Sequence, residues 1–224
     1  MQYRNEIKHL ITPADRAAIC AVMKTVAKLD PHAQKKGYYT IRSLYFDNLT
    51  DAALREKLDG VNEREKFRIR YYDGDTSVIH LEKKVKRDGV GYKLSCSLAA
   101  EEAQRIVDGD TLWMASDRRA LLVELYAKMK SRGLRPKTIV DYERIPFVYS
   151  AGNVRVTVDY NIRTGLRTTD FLNPDCVTVP AGGSDIVLEV KWDDYLPSVI
   201  RHAVQLKGRR ATAYSKYAQC RIYG

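Results

Sequence analysis

The chain has 224 residues, of which 45% are hydrophobic and 29% charged. That is enough apolar material to bury a core without disulfide or metal staples, and the length fits one large domain or two small ones. The 38 Lys and Arg against 28 Asp and Glu leave a formal charge of +10, which attracts polyanions without choosing among them.

Cys20, Cys96, Cys176 and Cys220 form no C-x-x-C pair, so they point away from zinc and read as free thiols in a reducing compartment. Residues 1–8 are charged and lack the apolar segment of a secretory signal. No run reaches the roughly 18 apolar residues of a membrane span. These features predict a soluble, cytoplasmic protein, with any membrane association supplied by a partner. A P-loop is absent, and Gly89-x-Gly91 is too short to replace one.

In chain order, Gln2 to Leu10 reads as a strand. Thr12 as N-cap, Pro13 in the first turn and Ile19, Val22, Met23 and Val26 on one face predict a helix from Pro13 to Leu29. A strand over Tyr38 to Phe46 and a short helix over Thr50 to Leu58 follow. Strands are then expected at Arg64 to Tyr72, Val78 to Lys86 and Gly91 to Ser95, joined by turns at Asp73-Gly74 and Asp88-Gly89. Helices fit Ala99 to Val107 and Asp117 to Lys130. Thr138 to Tyr149 and Val154 to Arg163 read as strands around Ala151-Gly152, followed by a strand at Asp185 to Trp192 and a helix at Tyr195 to Leu206. Ser215 fits the start of a last helix. The pattern is that of an α+β protein, an antiparallel sheet or barrel with helices packed around it.

Alternate residues of a strand share a face. Arg64, Lys66, Arg68 and Arg70 therefore line one side of their strand, against Phe67, Ile69 and Tyr71 on the other. His80, Glu82, Lys84 and Lys86 oppose Ile79, Leu81 and Val85, and Arg155, Thr157, Asp159 and Arg163 oppose Val154, Val156 and Val158. Arg4, Glu6 and Lys8 share a face, Tyr3 and Ile7 the other; Glu189 pairs with Lys191, and Tyr142 with Arg144. One such strand is an ordinary wet sheet face. Five of them, dominated by Arg and Lys, predict a shared cationic inner surface that a bound polyanion makes tolerable.

These residues carry a resemblance. Arg4-Asn5-Glu6-Ile7-Lys8 resembles the R-x-E-x-K opening of the VTC domain, a polyphosphate polymerase family of the triphosphate tunnel, or CYTH-like, superfamily. Ser43-Leu44-Tyr45-Phe46-Asp47, Lys66-Phe67-Arg68-Ile69-Arg70, Leu81-Glu82-Lys83-Lys84 and Tyr142-Glu143-Arg144 follow in the family's order. So do Arg155-Val156-Thr157-Val158-Asp159, Leu188-Glu189-Val190-Lys191 and Ser215-Lys216-Tyr217.

The resemblance implies a single domain over residues 1–224, an eight-stranded antiparallel β tunnel closed as a barrel, with a basic interior and helices outside. It implies polyphosphate synthesis from ATP with Mn2+ or Mg2+. The residues it implies for catalysis are Lys8, Arg68, Arg70, Lys84, Arg144, Arg155 and Glu189, with Glu189 associated with the metal. Glu6, Lys66, Glu82, Lys93, Tyr142, Lys191, Ser215 and Lys216 are implied at the substrate. The hydrolytic branch opens E-x-E-x-K; Arg4 in place of its first acid argues for phosphate holding and polymerisation over a two-metal hydrolase.

Blander roles stand beside these. Glu82 can bridge neighbouring cations, Asp159 can orient Arg155, Ser215 can be an N-cap and Tyr142 a packed core residue. His80 and His202 read as bystanders. A tunnel triphosphatase and a non-catalytic polyphosphate binder are the competing functions. Nucleic-acid binding is not expected, because the cations alternate with apolar residues inside strands and no RRM aromatic signature is present.

Overall fold

The computed structural model describes residues 4–87, 90–206 and 208–222. Tyr3 and the expected Asp88-Gly89 turn lie outside the described residues. The elements in chain order are β1 (Asn5–Ile11), α1 (Pro13–Val26), β2 (Lys28–Leu29), β3 (Tyr39–Asp47), α2 (Ala52–Leu58), β4 (Arg64–Tyr72), β5 (Asp75–Arg87) and β6 (Val90–Leu98). They continue with α3 (Ala100–Val107), α4 (Ala120–Arg132), β7 (Arg135–Tyr149), β8 (Val154–Thr164), β9 (Val179–Pro180), β10 (Ile186–Trp192), α5 (Ser198–Ala203) and α6 (Lys216–Ile222).

The strand order is β1-β10-β8-β7-β3-β4-β5-β6, with β2 added on β7 and β9 on β8. Each pairing whose register is known is antiparallel. The α+β class holds, but the barrel does not close. Among the described residues no pairing joins the two end strands, β1 and β6. The outer edge of β1 is already in use: His9 bridges Ala211, and the Thr212 N–H donates to the Lys8 carbonyl at 2.8 Å. The sheet is therefore open, and its ionic side chains line sheet faces rather than a closed bore.

The chain packs as two compact units. The first comprises Met1–Thr40, Tyr142–Ile162 and Gly182–Ser215; the second comprises Ile41–Asp141, Arg163–Ala181 and Lys216–Gly224. Each has its own core. In the first unit, Ile19 and Met23 of α1 and Ile200 of α5 pack on Val154, Val156, Val158, Leu188 and Val190. In the second, Ala103 and Ile106 of α3 and Leu121, Leu122 and Leu125 of α4 pack on Phe67, Ile69, Ile79 and Leu81. In both, helices cover the apolar face of their strands and leave the ionic face to other partners.

Local chemistry explains where the elements stop. Thr12 and Asp15 form a reciprocal capping box, the Asp15 N–H donating to Thr12 Oγ1 and the Thr12 N–H to Asp15 Oδ2. The α1 helix ends at Val26, three residues before the expected end, because Lys28 and Leu29 pair with Val148 and Phe147. Asp73 and Gly74, both with positive φ, make the two-residue hairpin turn between β4 and β5. Gly152 is required for a second reason besides its φ of 70°: a Cβ there would meet the Tyr195 carbonyl oxygen at 2.4 Å. The fourth helix begins at Ala120 rather than Asp117, because residues 112–116 form a 3-10 turn and Asp117 accepts from the Arg119 N–H. The fifth begins after Pro197 and is shorter than expected. The short strands β2 and β9 carry no sequence signal of their own.

Candidate functional site

The implied site residues form two clusters, each built within one unit. In the second unit the register does most of the work. Lys66, Lys84 and Lys93 lie in one row across β4, β5 and β6. Arg68, Glu82 and Ser95 form the next row, and Arg70, His80 and Ser97 the one after. The third strand adds Tyr45 opposite Arg68 and Ser43 opposite Arg70. Between the Arg64 and Arg70 rows of β4–β6, the described residues set Arg64, Lys66, Arg68, Arg70, Lys84, Lys86 and Lys93 against one carboxylate, Glu82.

Glu82 is 2% exposed and serves three cations. Its Oε2 accepts from Arg68 at 2.8 and 3.0 Å, and its Oε1 meets Arg70 at 2.6 Å and Lys93 at 2.9 Å. Burial pushes its carboxyl up, but Arg68, Arg70 and Lys93 outweigh burial and hold it down to about 2. Its bridging role is thereby found. Arg68 also donates to the Tyr45 hydroxyl at 2.8 Å, and Arg70 stacks on the Tyr72 ring. Ser43 is fully buried, and among the described residues its hydroxyl has no hydrogen-bond partner.

Lys66 differs from its neighbours. Among the described residues it makes no ion pair or hydrogen bond; its Nζ sits 4.9 Å from the centre of the Tyr217 ring. Burial, then the positive charges of Lys57 and Arg64, push its ammonium down to about 8. Tyr217 is itself fixed, stacked on Tyr45 and donating its hydroxyl to Asp47 at 2.5 Å. Lys84 is exposed, and Lys216 opens α6.

A folded lysine near 8 against an ordinary 10.5 gives a definite sign. The unfolded chain keeps the proton at pH values where the folded chain has shed it, so stability rises from pH 8 to 10.5. At neutral pH the charge costs the fold on the order of 2 kcal/mol, allowing for partial exposure. Lys66→Met should therefore unfold at a higher temperature than the parent at pH 7, with the gap closing near pH 10. The same variant should bind tripolyphosphate more weakly. Thermal denaturation and calorimetric titration read the two effects; a variant that is less stable and binds as well would reverse the assignment.

In the first unit the cations are balanced by acids. Lys8, Glu189 and Thr157 form one row of β1, β10 and β8, and Glu6, Lys191 and Arg155 the next. Lys8 Nζ lies 2.8 Å from Glu6 and 3.2 Å from Glu189; Lys191 Nζ lies 3.5 Å from Glu6 and 3.2 Å from Glu189. Burial pushes Lys8 down, but Glu189 and Glu6 outweigh it and raise it above the ordinary lysine range. Arg144 holds Asp159 with two parallel bonds, Nε at 2.6 Å and Nη2 at 2.7 Å, and approaches Glu189 at 3.8 Å. Its guanidinium rests on the ring of Tyr142, which is 4% exposed. Thr157 is buried, and among the described residues its hydroxyl has no hydrogen-bond partner.

Several roles differ from expectation. Asp159 orients Arg144, not Arg155. Arg155 is held instead by Asp30 and the Tyr39 hydroxyl, each at 2.9 Å. Neither Asp30 nor Tyr39 was legible as a site residue, because Asp30 lies outside the strands and Tyr39, at the first position of β3, carries no charge. Arg4 is spent on Asp193, at 2.9 Å, and on the Asn153 carbonyl, so its charge has a structural use. Tyr142 is both a core residue and the platform for Arg144. Ser215 immediately precedes α6, as an N-cap would.

The donor set can be tested against a divalent cation. Among the described residues no group of three or more His, Cys, Asp and Glu side chains comes together. Glu6 and Glu189 converge on the same two ammonium groups, and the unpartnered Thr157 hydroxyl faces Glu189. Their four carboxylate oxygens are hard donors of the kind Mg2+ or Mn2+ takes together with phosphate oxygens, and Lys8 and Lys191 hold them in this structure. They do not make an all-protein cage.

Residues 3–222 match the family model of the VTC domain. No curated protein sequence matches the chain. A solved structure described as a candidate adenylate cyclase of Bacillus halodurans is similar, with a TM-score of 0.51 at 12% identity, covering 85% of this chain and 80% of its own. PH1012 of Pyrococcus horikoshii OT3 gives a TM-score of 0.50 at 13% identity, covering 95% and 96%. At such identities the likeness is one of fold.

Proposed function

The chain belongs to the VTC domain family, within the triphosphate tunnel (CYTH-like) superfamily, and on that premise we propose that it extends polyphosphate with the γ-phosphoryl group of ATP. Family and fold support a polyphosphate-related function; the polymerase reaction is our reading. The observation that carries it is the charge contrast between the two clusters. The β4–β6 face holds seven cations against Glu82, an arrangement that favours a repeating polyanion. The Lys8–Glu189 face is balanced, and its acids suit a metal-chelated phosphate end.

In this reading Lys66, Arg68, Arg70, Lys84 and Lys93 hold equatorial phosphate oxygens, with Lys216 contributing from the start of α6. Arg144 and Arg155 offer planar donors, and Lys8 and Lys191 point charges. Glu189, with Glu6, would hold Mn2+ or Mg2+, which supplies charge neutralisation on the transferring phosphate. The terminal oxygen of the chain attacks the γ-phosphorus, the bond to the β,γ-bridging oxygen breaks, and ADP leaves. Positioning and charge carry the step, so no protein nucleophile is needed. All 224 residues act as one functional domain in this proposal.

Incubation of the purified protein with ATP and Mn2+ tests it. Long polymer plus ADP supports the reading; short phosphates alone indicate a triphosphatase, and binding without turnover a sensor. Glu189→Gln should abolish polymer formation and leave folding and metal-free tripolyphosphate binding intact, because Glu6 still faces Lys8 and Lys191. Unchanged synthesis by this variant would remove Glu189 from the reaction.

A further inference from the structure

The first unit contains a cavity of about 360 Å³ on the opposite face of β7 from Arg144. Ala27, Leu29, Ile145 and Phe147 give it an apolar floor. Two exposed lysines, Lys24 and Lys36, line its edge, and among the described residues neither makes an ion pair. The volume is that of a small-ligand site. An apolar floor with two uncompensated cations at the rim is complementary to one kind of molecule, an apolar body that ends in an anion.

We propose that this pocket binds a small anionic amphiphile and that its occupancy is felt at the ionic face. Chain adjacency supplies the link. Leu29 and Tyr38 line the pocket, and the next residues, Asp30 and Tyr39, are the two that hold Arg155. Ile145 lines it too, and the preceding residue is Arg144. A ligand that shifts these three lining positions moves the supports of both arginines. This second half rests on the polyphosphate reading; the binding itself does not.

Cys20 lines the pocket and gives a direct readout. The intact protein is treated with a neutral maleimide, and labelling of each cysteine is followed by peptide mapping, with decanoate as the probe. At decanoate tenfold above its Kd only about one pocket in eleven is free, so Cys20 labelling should slow about tenfold. Cys96 and Cys176, also half-buried, should keep their rates. Lys24→Glu with Lys36→Glu should restore Cys20 labelling in the presence of decanoate; both positions are exposed, and the parallel pair Lys24→Gln with Lys36→Gln should give the same restoration without an acid in the last turn of α1. Failure of decanoate to protect Cys20, equal protection by decanol, or full protection in the double variant would each overturn the pocket. Tripolyphosphate should shift the decanoate midpoint, and decanoate should shift tripolyphosphate affinity by the same factor. Protection of Cys20 without that shift would count against the link to Arg144 and Arg155 and leave the pocket standing.

Discussion

Arg70→Ala should lower tripolyphosphate affinity about a hundredfold, near 3 kcal/mol, while the protein remains folded. The size follows from losing a largely desolvated guanidinium on the face that, in the proposed reading, holds the polyanion. The intact fold follows from the sharing around Glu82. That carboxylate also holds Arg68 through two bonds and Lys93 through one, so two cations remain when Arg70 is removed. The variant leaves no buried acid alone, and its unfolding midpoint should stay within about 1 kcal/mol of the parent. Calorimetric titration with tripolyphosphate reads the affinity, and urea unfolding reads the stability. Parent-like affinity in Arg70→Ala would mean that the β4–β6 face does not hold phosphate.

This prediction uses a face that was legible in the sequence. Period-two alternation put Lys66, Arg68 and Arg70 on one side of β4 and Glu82 and Lys84 on one side of β5, and the register keeps them there. Lys83 shows the limit of the same rule. It falls on the apolar face, is buried, and survives there because Glu65, at 2.8 Å, and Glu124 neutralise it. Alternation assigns a side chain to a face; it does not say which partner comes to meet it. The closed barrel failed for a related reason. Strand count fixes how many edges exist, whereas closure depends on what already occupies them, and the 211–212 segment takes the edge of β1. The partners of Arg155 come from residues far away in the chain, and a single sequence carries no signal for such pairs.

Arg144→Ala should behave in the opposite way, destabilising the protein by about 3–5 kcal/mol. Asp159 is 0% exposed, and Arg144 gives it two bonds from Nε and Nη2. Removing the arginine strips a buried carboxylate of its bidentate partner in a place water does not reach. Burial alone would discourage the charge on Arg144, and Asp159 more than offsets it. Loss of activity in Arg144→Ala would therefore say little about phosphate. The informative variant combines Arg144→Met with Asp159→Leu, which replaces the buried pair by apolar side chains and should recover stability to within about 2 kcal/mol of the parent. Among the described residues Nη1 of Arg144 makes no hydrogen bond, which leaves one donor of the fork for a ligand. If Arg144 grips phosphate through that donor, the refolded double variant should bind tripolyphosphate about tenfold more weakly than the parent. Parent-like binding in the double variant would make Arg144 a brace for Asp159 and Tyr142, with the phosphate-holding role left to the β4–β6 face.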